Sequence, residues 1–344
     1  MRLPGLTWRN ARVALGVPVT VLFSWLAFAH MDWNAGWKVV ASAQPWWIGA
    51  GVALLAIEYS MRILRWWMIL RCLAPGLPYS RCAGPFIASV AADNVFGFRS
   101  GDVVRTFAFQ KQLGLTPLHV LSTVVVERLL GITTLLLIFF ATLSGADPDR
   151  MPAALIDGSR WMIVLSVSSL IVLLSAPARL AAKAHAASSR LSASGHRLSA
   201  RVVGWAEQIL NSFAMIRSPK LIFKLFLLSL VIWLLEGTVF AMVARSLSLT
   251  GLGAGPWFAH AAGTLATIIP SAPGNVGPYD YFIIVGMMAY GVPHTMATVF
   301  GIVAHAVIWL PPTLGGLAWV VLPAGRSMWN RIGKVAACTE SDLQ

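Results

Sequence analysis

Charge is scarce in this 344-residue chain: only 11% of its residues are Asp, Glu, Lys or Arg. A soluble domain carries roughly a quarter. That scarcity excludes a solvated surface over most of the length. Cysteine is nearly absent as well. Cys72, Cys82 and Cys338 have neither metal-ligand spacing nor a disulfide framework, and free thiols on cytoplasmic faces are the simplest account. Ten-residue alternation of apolar and polar positions is missing, which excludes a β-barrel. Also missing are HExxH, a Walker loop, GxSxG, an aspartate-rich diphosphate motif and any Cys/His metal set. The expectation is a protein that is not an enzyme and holds no metal or cofactor. An intramembrane transferase with Glu236 or Glu127 as its base stays open, because membrane transferases use scattered residues.

What the chain has is apolar length. Hydrophobic residues make up 57% of it, and mean hydropathy is +0.73. They come in blocks such as Val13–Ala29 and Trp161–Ala176, long enough to cross a hydrocarbon core as helices. Backbone groups in lipid must be satisfied internally, so an all-α polytopic membrane protein follows. The net charge of +13, from 26 basic and 13 acidic residues, would suggest nucleic acid in a soluble protein. Here the basic residues flank apolar blocks, which is topology signalling, and no nucleic-acid partner is expected. Arg2, Arg9 and Arg12 precede a run ending Ala27-Phe28-Ala29, as in a signal peptide. That run is long for a signal sequence and is read as an uncleaved first span.

Six full spans are expected, at about 13–30, 46–70, 118–143, 160–177, 219–247 and 295–323. Residues 83–112 and 256–291 do not fit as spans. Each holds two short apolar pieces around a Gly-rich or Pro-rich break: Gly97-Phe98-Arg99-Ser100-Gly101-Asp102 in the first, Pro270 to Pro278 in the second. Both are read as re-entrant hairpins of two half-helices. Charge then sets the sidedness. The N-terminus, Arg62 to Arg81, the 178–218 linker and the C-terminus (Arg326, Arg331, Lys334) lie inside. The loops 31–45 and 144–158 lie outside, the latter with Asp147, Asp149 and Asp157 against Arg150. The result is N-in and C-in.

The same plan contains an inverted repeat within one transmembrane domain. Repeat one covers about 46–143 and repeat two about 219–323. Gly114-Leu115-Thr116-Pro117 and Gly291-Val292-Pro293-His294 mark equivalent joints. Short, Gly/Pro-interrupted segments paired in two inverted halves point to a transporter site near the bilayer midplane. Between the repeats, Leu191, Leu198, Val202, Trp205 and Ile209 share one helical face beside Arg190, Arg197 and Arg201. That amphipathic linker suits an anionic lipid surface or packs on the protein itself.

Charges at membrane depth need a reason. Arg99 and Arg105 bracket Gly101-Asp102, and Ser100 or Asp102 stands where a half-helix begins. A helix N-terminus with two guanidinium groups suits phosphate oxygens. The alternative is that these arginines pair with Asp102 or Asp93 and hold the hairpin together. In the second hairpin Pro278 suits a first helical turn with Asp280 close behind, Pro273 shapes the break, and Gly274 and Gly277 allow close approach. A structural break there is the plainer reading. Glu58, Arg62 and Arg65 share a face, with Glu58 and Arg62 spaced to pair. Glu127-Arg128 lies inside the third span. Glu236 lies near the middle of the fifth, with no partner nearby in sequence. These offer a headgroup path or proton relay, or else interhelical ion pairs. His260 and His305 are read as hydrogen-bonded filler.

The chain resembles the transmembrane region of lysylphosphatidylglycerol synthases, a flippase-like integral membrane family, from about Trp46 to Leu322. The likeness rests on Arg99-Ser100-Gly101-Asp102-Val103-Val104-Arg105, Glu127-Arg128, Pro270-Ser271-Ala272-Pro273-Gly274-Asn275-Val276-Gly277, Gly291-Val292 and Ala297. Four positions depart from the family pattern. Asp280 stands where Glu is usual, Asn275 replaces a common Gly, Phe96-Gly97 replaces a proline-containing approach, and Gly131 stands where Asp often follows. The resemblance implies moving lipids between leaflets, or serving lipid and glycolipid assembly, in a bacterial inner membrane. The aminoacyltransferase domain of the fused synthases has no counterpart in these residues, so synthesis of lysylphosphatidylglycerol is not expected. Hopanoid pathways are among those in which stand-alone relatives occur. The expected partners are membrane lipids, anionic in the translocator reading. Arg99, Arg105 and Arg128 would receive the headgroup where the two hairpins meet. The other reading is a non-transporting partner of a lipid-synthesising enzyme.

Overall fold

The computed structural model describes residues 8–97, 99–147, 152–175, 177–194, 197–215 and 218–322. Arg2, Phe98, Asp149, Arg150, Arg217 and the C-terminal Arg326, Arg331, Lys334 and Cys338 lie outside them, as do the side chains of Arg9, Arg12, Arg197, Leu198 and Arg201. Among the described residues every regular element is helical. Four helices are long and apolar enough to cross a membrane: α3 (Pro45–Leu73), α7 (Pro117–Leu143), α11 (Pro219–Ser246) and α14 (His294–Val321). The helices α1 (Trp8–Phe28) and α8 (Ala153–Ser175) fall where the other two spans are expected but are not among those four; the apolar part of α1, Gly16–Phe28, is shorter. Val17, Trp25, Trp161, Leu165, Phe223 and Leu314 are exposed, a pattern that lipid accommodates and water does not.

The two stretches that break the span pattern form helix pairs. The first is α4 (Ser80–Phe96) with α5 (Ser100–Ala108), followed by the single turn α6 (Gln110–Leu113). The second is α12 (Gly255–Ala266) with α13 (Pro278–Met288). These four helices have 17, 9, 12 and 11 residues. All fall short of the ~20 that a crossing needs.

Local chemistry explains several boundaries. Ser218 accepts a bond from Leu221 N–H at 3.4 Å, ahead of Pro219, and caps α11. The 31–45 segment, expected as a loop, instead contains α2 (Trp33–Ala41). The Asp32 side chain accepts from the N–H groups of Asn34 and Ala35, both at 3.0 Å, which starts that helix. The linker differs too. One amphipathic helix was expected, and two are found, α9 (Pro177–Ala193) and α10 (Arg197–Met215), packed on each other. Ser188 Oγ donates to Ala200 O at 2.9 Å, and His185 Nδ1 lies 3.1 Å from Glu207. Leu191 is therefore not on the helix that carries Val202, Trp205 and Ile209.

The residues group into two compact units. Unit 1 comprises Met1–Arg62, Glu127–Leu173 and Ser218–Trp309; unit 2 comprises Ile63–Val126, Leu174–Arg217 and Leu310–Gln344. The helices α3, α7, α8 and α14 contribute residues to both. Unit 1 has an aromatic and aliphatic core with Phe240, Phe300, Ile283, Ile284 and Met287 fully or almost fully buried. Within it α12 and α13 pack closely through small residues. A Cβ on Gly286 would lie 2.8 Å from Ala259 Cα, and one on Gly263 would lie 2.5 Å from Ile283. In unit 2 the buried Trp66 stacks near Phe86 and donates its indole N–H to Thr123 Oγ1 at 3.1 Å.

Candidate functional site

The first helix pair belongs to unit 2. Arg99 precedes α5 in the left-handed conformation, φ 56°, and its side chain is exposed. Ser100 begins α5, and its hydroxyl donates back to Ala92 O on α4 at 2.8 Å. Gly101 N–H donates to Asp93 Oδ1 at 3.1 Å, tying the start of α5 to α4. Gly101 is required sterically as well, since a Cβ there would sit 2.1 Å from Ser89 O. Arg105 points inward and is 3% exposed. It lies 3.2 Å from Asp102 Oδ1, and its guanidinium covers Trp66 at 4.9 Å and Phe86 at 5.1 Å. Arg105 follows the pairing alternative, and Arg99 stands exposed at a helix start.

In unit 1, Arg62 of α3 is clasped by Glu58, one turn earlier, and by Glu236 of α11. Both carboxylates are buried. Glu236, without a partner nearby in sequence, finds its cation 174 residues away. Trp233 completes the setting, with its ring 4.6 Å from Arg62 and its indole N–H donated to Gly131 O at 2.8 Å. A Cβ at Gly131 would lie 3.6 Å from the Trp233 ring, an ordinary van der Waals contact. On α7, Glu127 is buried and Arg128 half-buried.

The second helix pair, also in unit 1, is joined by residues 267–277. Pro273 is exposed there and Gly274 buried. Gly277 N–H donates to Asp280 Oδ2 at 3.0 Å, capping α13 as its spacing predicts. The φ of 98° at Gly277 lies in the glycine region, and a Cβ would fall 2.9 Å from Thr20 O of α1. The other Asp280 oxygen, Oδ1, lies 2.6 Å from His305 Nδ1, and His305 Nε2 lies 3.0 Å from Gly274 O. His305 is therefore bound to two candidate residues at once. Tyr279 stacks edge-on to His305 with ring centroids 5.0 Å apart. Its buried hydroxyl has no hydrogen-bond partner among the described residues. Glu236, Asp280, Tyr59 and Arg62 lie within electrostatic reach of it.

Three groupings of candidate residues emerge: Asp102 with Arg105, Glu236 with Glu58 and Arg62, and Asp280 with Gly274 and Gly277. Sequence reasoning passed over Trp233, Tyr279 and the pairing of His305. Each owes its role to a partner on another helix. Among the described residues no group of His, Cys, Asp and Glu is arranged to hold a metal ion.

Residues 13–316 match the family described as the lysylphosphatidylglycerol synthase TM region. A curated relative, the glycosyltransferase AglD of Haloferax volcanii (strain DS2), is 23% identical over 339 residues, which cover 90% of this chain and 54% of that protein. The chain thus spans about half the length of the curated relative it matches.

Proposed function

The chain belongs to the lysylphosphatidylglycerol synthase transmembrane-region family, and on that premise we propose that it is a lipid translocator of the bacterial inner membrane. In this reading six spans and two re-entrant helix pairs form an inverted repeat with both termini inside. An anionic lipid or lipid-linked headgroup crosses while its acyl chains stay in the bilayer. The observation that carries the reading is the pair of interrupted elements, α4–α5 and α12–α13. Each is built of helices too short to cross, and each has a break with Arg99 in it or Asp280 in the helical turn that follows. Exposed Arg99 at the start of α5 suits first contact with a phosphate. The carboxylates at Glu58, Glu236 and Asp280 suit ion coupling of the crossing step.

The test is translocation in proteoliposomes, with labelled anionic and neutral lipids, an impermeant quencher and an Arg99→Ala control. Faster loss of inner-leaflet signal with wild type than with Arg99→Ala supports the reading. Equal rates in the two proteins remove the headgroup role of Arg99. Rates equal to those of empty liposomes, with and without ion gradients, sink translocation itself.

A second reading is favoured by the likeness to a glycosyltransferase. The chain would then be a non-transporting membrane partner of an enzyme that builds an envelope lipid or glycolipid. Exposed Val202 and Trp205 on α10 offer a contact surface. Co-purification with such an enzyme, lost in Val202→Asp/Trp205→Asp, would support it.

A further inference from the structure

We propose that Asp280 and His305 form a proton-binding site whose occupancy decides whether the 267–277 loop is held to α14. A carbonyl oxygen only accepts, so the 3.0 Å contact with Gly274 O requires a proton on His305 Nε2. At 2.6 Å, His305 Nδ1 and Asp280 Oδ1 cannot face each other with lone pairs alone, so a second proton lies between them. Asp280 Oδ2 already accepts from Gly277 N–H and has no part in that contact. The pair is therefore imidazolium with carboxylate, or imidazole with carboxylic acid. Both forms carry one proton more than a neutral histidine beside a carboxylate.

Removing that proton leaves one N–H for two acceptors. The charged acceptor wins, because a hydrogen bond to a carboxylate is roughly twice as strong as one to a neutral group. Nδ1–H stays with Asp280, and the bare Nε2 turns its lone pair toward the Gly274 carbonyl. The loop loses its tie to α14 and keeps its tie to α1, where Ala272 N–H donates to Thr20 Oγ1 at 2.7 Å. Proton binding and loop capture are thus one equilibrium, since a ligand that prefers one state must shift the balance toward it.

The ionisable surroundings come from three further helices. Tyr279 of α13 stacks on His305. Glu236 of α11 and Arg62 and Tyr59 of α3 lie within electrostatic reach of the Tyr279 hydroxyl. His260 of α12 is within reach of Glu236 and Arg62, and its buried Nε2 has no partner among the described residues. Near Gly277, α1 presents Thr20 and Ser24, neither of them ionisable. The site stands on its geometry. Its service as the coupling site of transport rests on the translocator reading.

Hydrogen–deuterium exchange of the full chain in lipid nanodiscs tests it, read on peptides covering 267–277 and corrected for the intrinsic pH dependence of exchange. The turn at Pro273–Asn275, where Asn275 N–H bonds Ala272 O at 3.1 Å, is the reporter. In wild type, protection should fall about ten-fold from the acid to the alkaline end of a pH series over which the fold is retained. In Asp280→Asn the amide N–H donates to Nδ1 of a neutral imidazole, so the loop should stay protected at every pH. His305→Phe should be unprotected throughout. A flat wild-type profile, or a wild-type profile reproduced by Asp280→Asn, overturns the proposal. Asp280→Asn keeps the test valid if His305→Phe does not fold. No lipid need move in this measurement, so failed translocation would sink the translocator reading and leave the proton site standing.

Discussion

Trp233 holds Arg62 from one side and α7 from the other: its ring lies 4.6 Å from the guanidinium, while its N–H bonds the Gly131 carbonyl at 2.8 Å. Arg62 is thereby fixed against Glu58 and Glu236 on two helices. Breaking a buried ion pair from one side leaves an uncompensated charge, which costs about 3–5 kcal/mol. Arg62→Met removes the cation that two buried carboxylates share and should reach that range. Glu236→Gln should cost less, because Arg62 keeps Glu58. Thermal unfolding of the purified protein ranks the two, and an order with Glu236→Gln the worse would refute the shared-cation arrangement.

Gly101 offers a steric test of the first helix pair. Alanine there would push its Cβ to 2.1 Å from the Ser89 carbonyl oxygen, a backbone atom that cannot swing aside. Overpacking of this kind costs about 1–3 kcal/mol, and the Gly101 N–H bond to Asp93 would be strained with it. Gly49 is the control, a helical glycine with nothing within 4 Å of its would-be Cβ. Gly49→Ala should be neutral or stabilising by up to about 1 kcal/mol. Equal melting temperatures for the two variants would mean that α4 and α5 do not meet at Gly101.

The same residues show how far sequence reached. Local features were legible: Glu58 with Arg62, Asp102 with Arg105, and Pro278 opening α13 with Asp280 in its first turn. Their geometry follows from spacing alone. The Gly/Pro breaks that divide α4 from α5 and α12 from α13 were legible for the same reason. Partners far apart in the chain were not. Arg62 meets Glu236 across 174 residues, and His305 meets Asp280 across 25. No spacing rule connects them, since the pairing is set by which helices pack. The linker misled because Leu191 and Leu198, one heptad apart, kept the apolar period across a break that periodicity does not register. The helix α2 was missed because its apolar residues are too few to stand out, and its start depends on the Asp32 cap.

Burial within unit 1 makes a prediction for His260. Its ring lies 5.6 Å from Trp233 and 5.1 Å from Phe240, and its Nε2 is buried without a partner among the described residues. An unsatisfied buried polar atom costs about 1–3 kcal/mol, whereas an apolar group of similar shape avoids that penalty. His260→Phe should therefore melt no lower than wild type. A clear loss of stability would show that the imidazole is needed there, through Nε2 or through the contact of Nδ1 with Thr264 Oγ1 at 3.4 Å.

Arg99 and Arg105 should part company under the mildest substitution. Arg105 is almost fully buried, with its planar guanidinium spread over Trp66 and Phe86 while it bonds Asp102. Lysine keeps the charge and loses the plane, so it cannot cover two rings and reach the carboxylate together. Arg105→Lys should lower stability by about 1–2 kcal/mol through lost cation–π contact and packing. Arg99 is exposed at the start of α5, where a point charge serves an anion nearly as well. Arg99→Lys should leave the melting temperature unchanged and keep most of any lipid translocation, whereas Arg99→Ala should lose it. If Arg99→Lys melts as low as Arg105→Lys, Arg99 is structural too. The headgroup would then have to be received by another cation, with Arg128 the first to test.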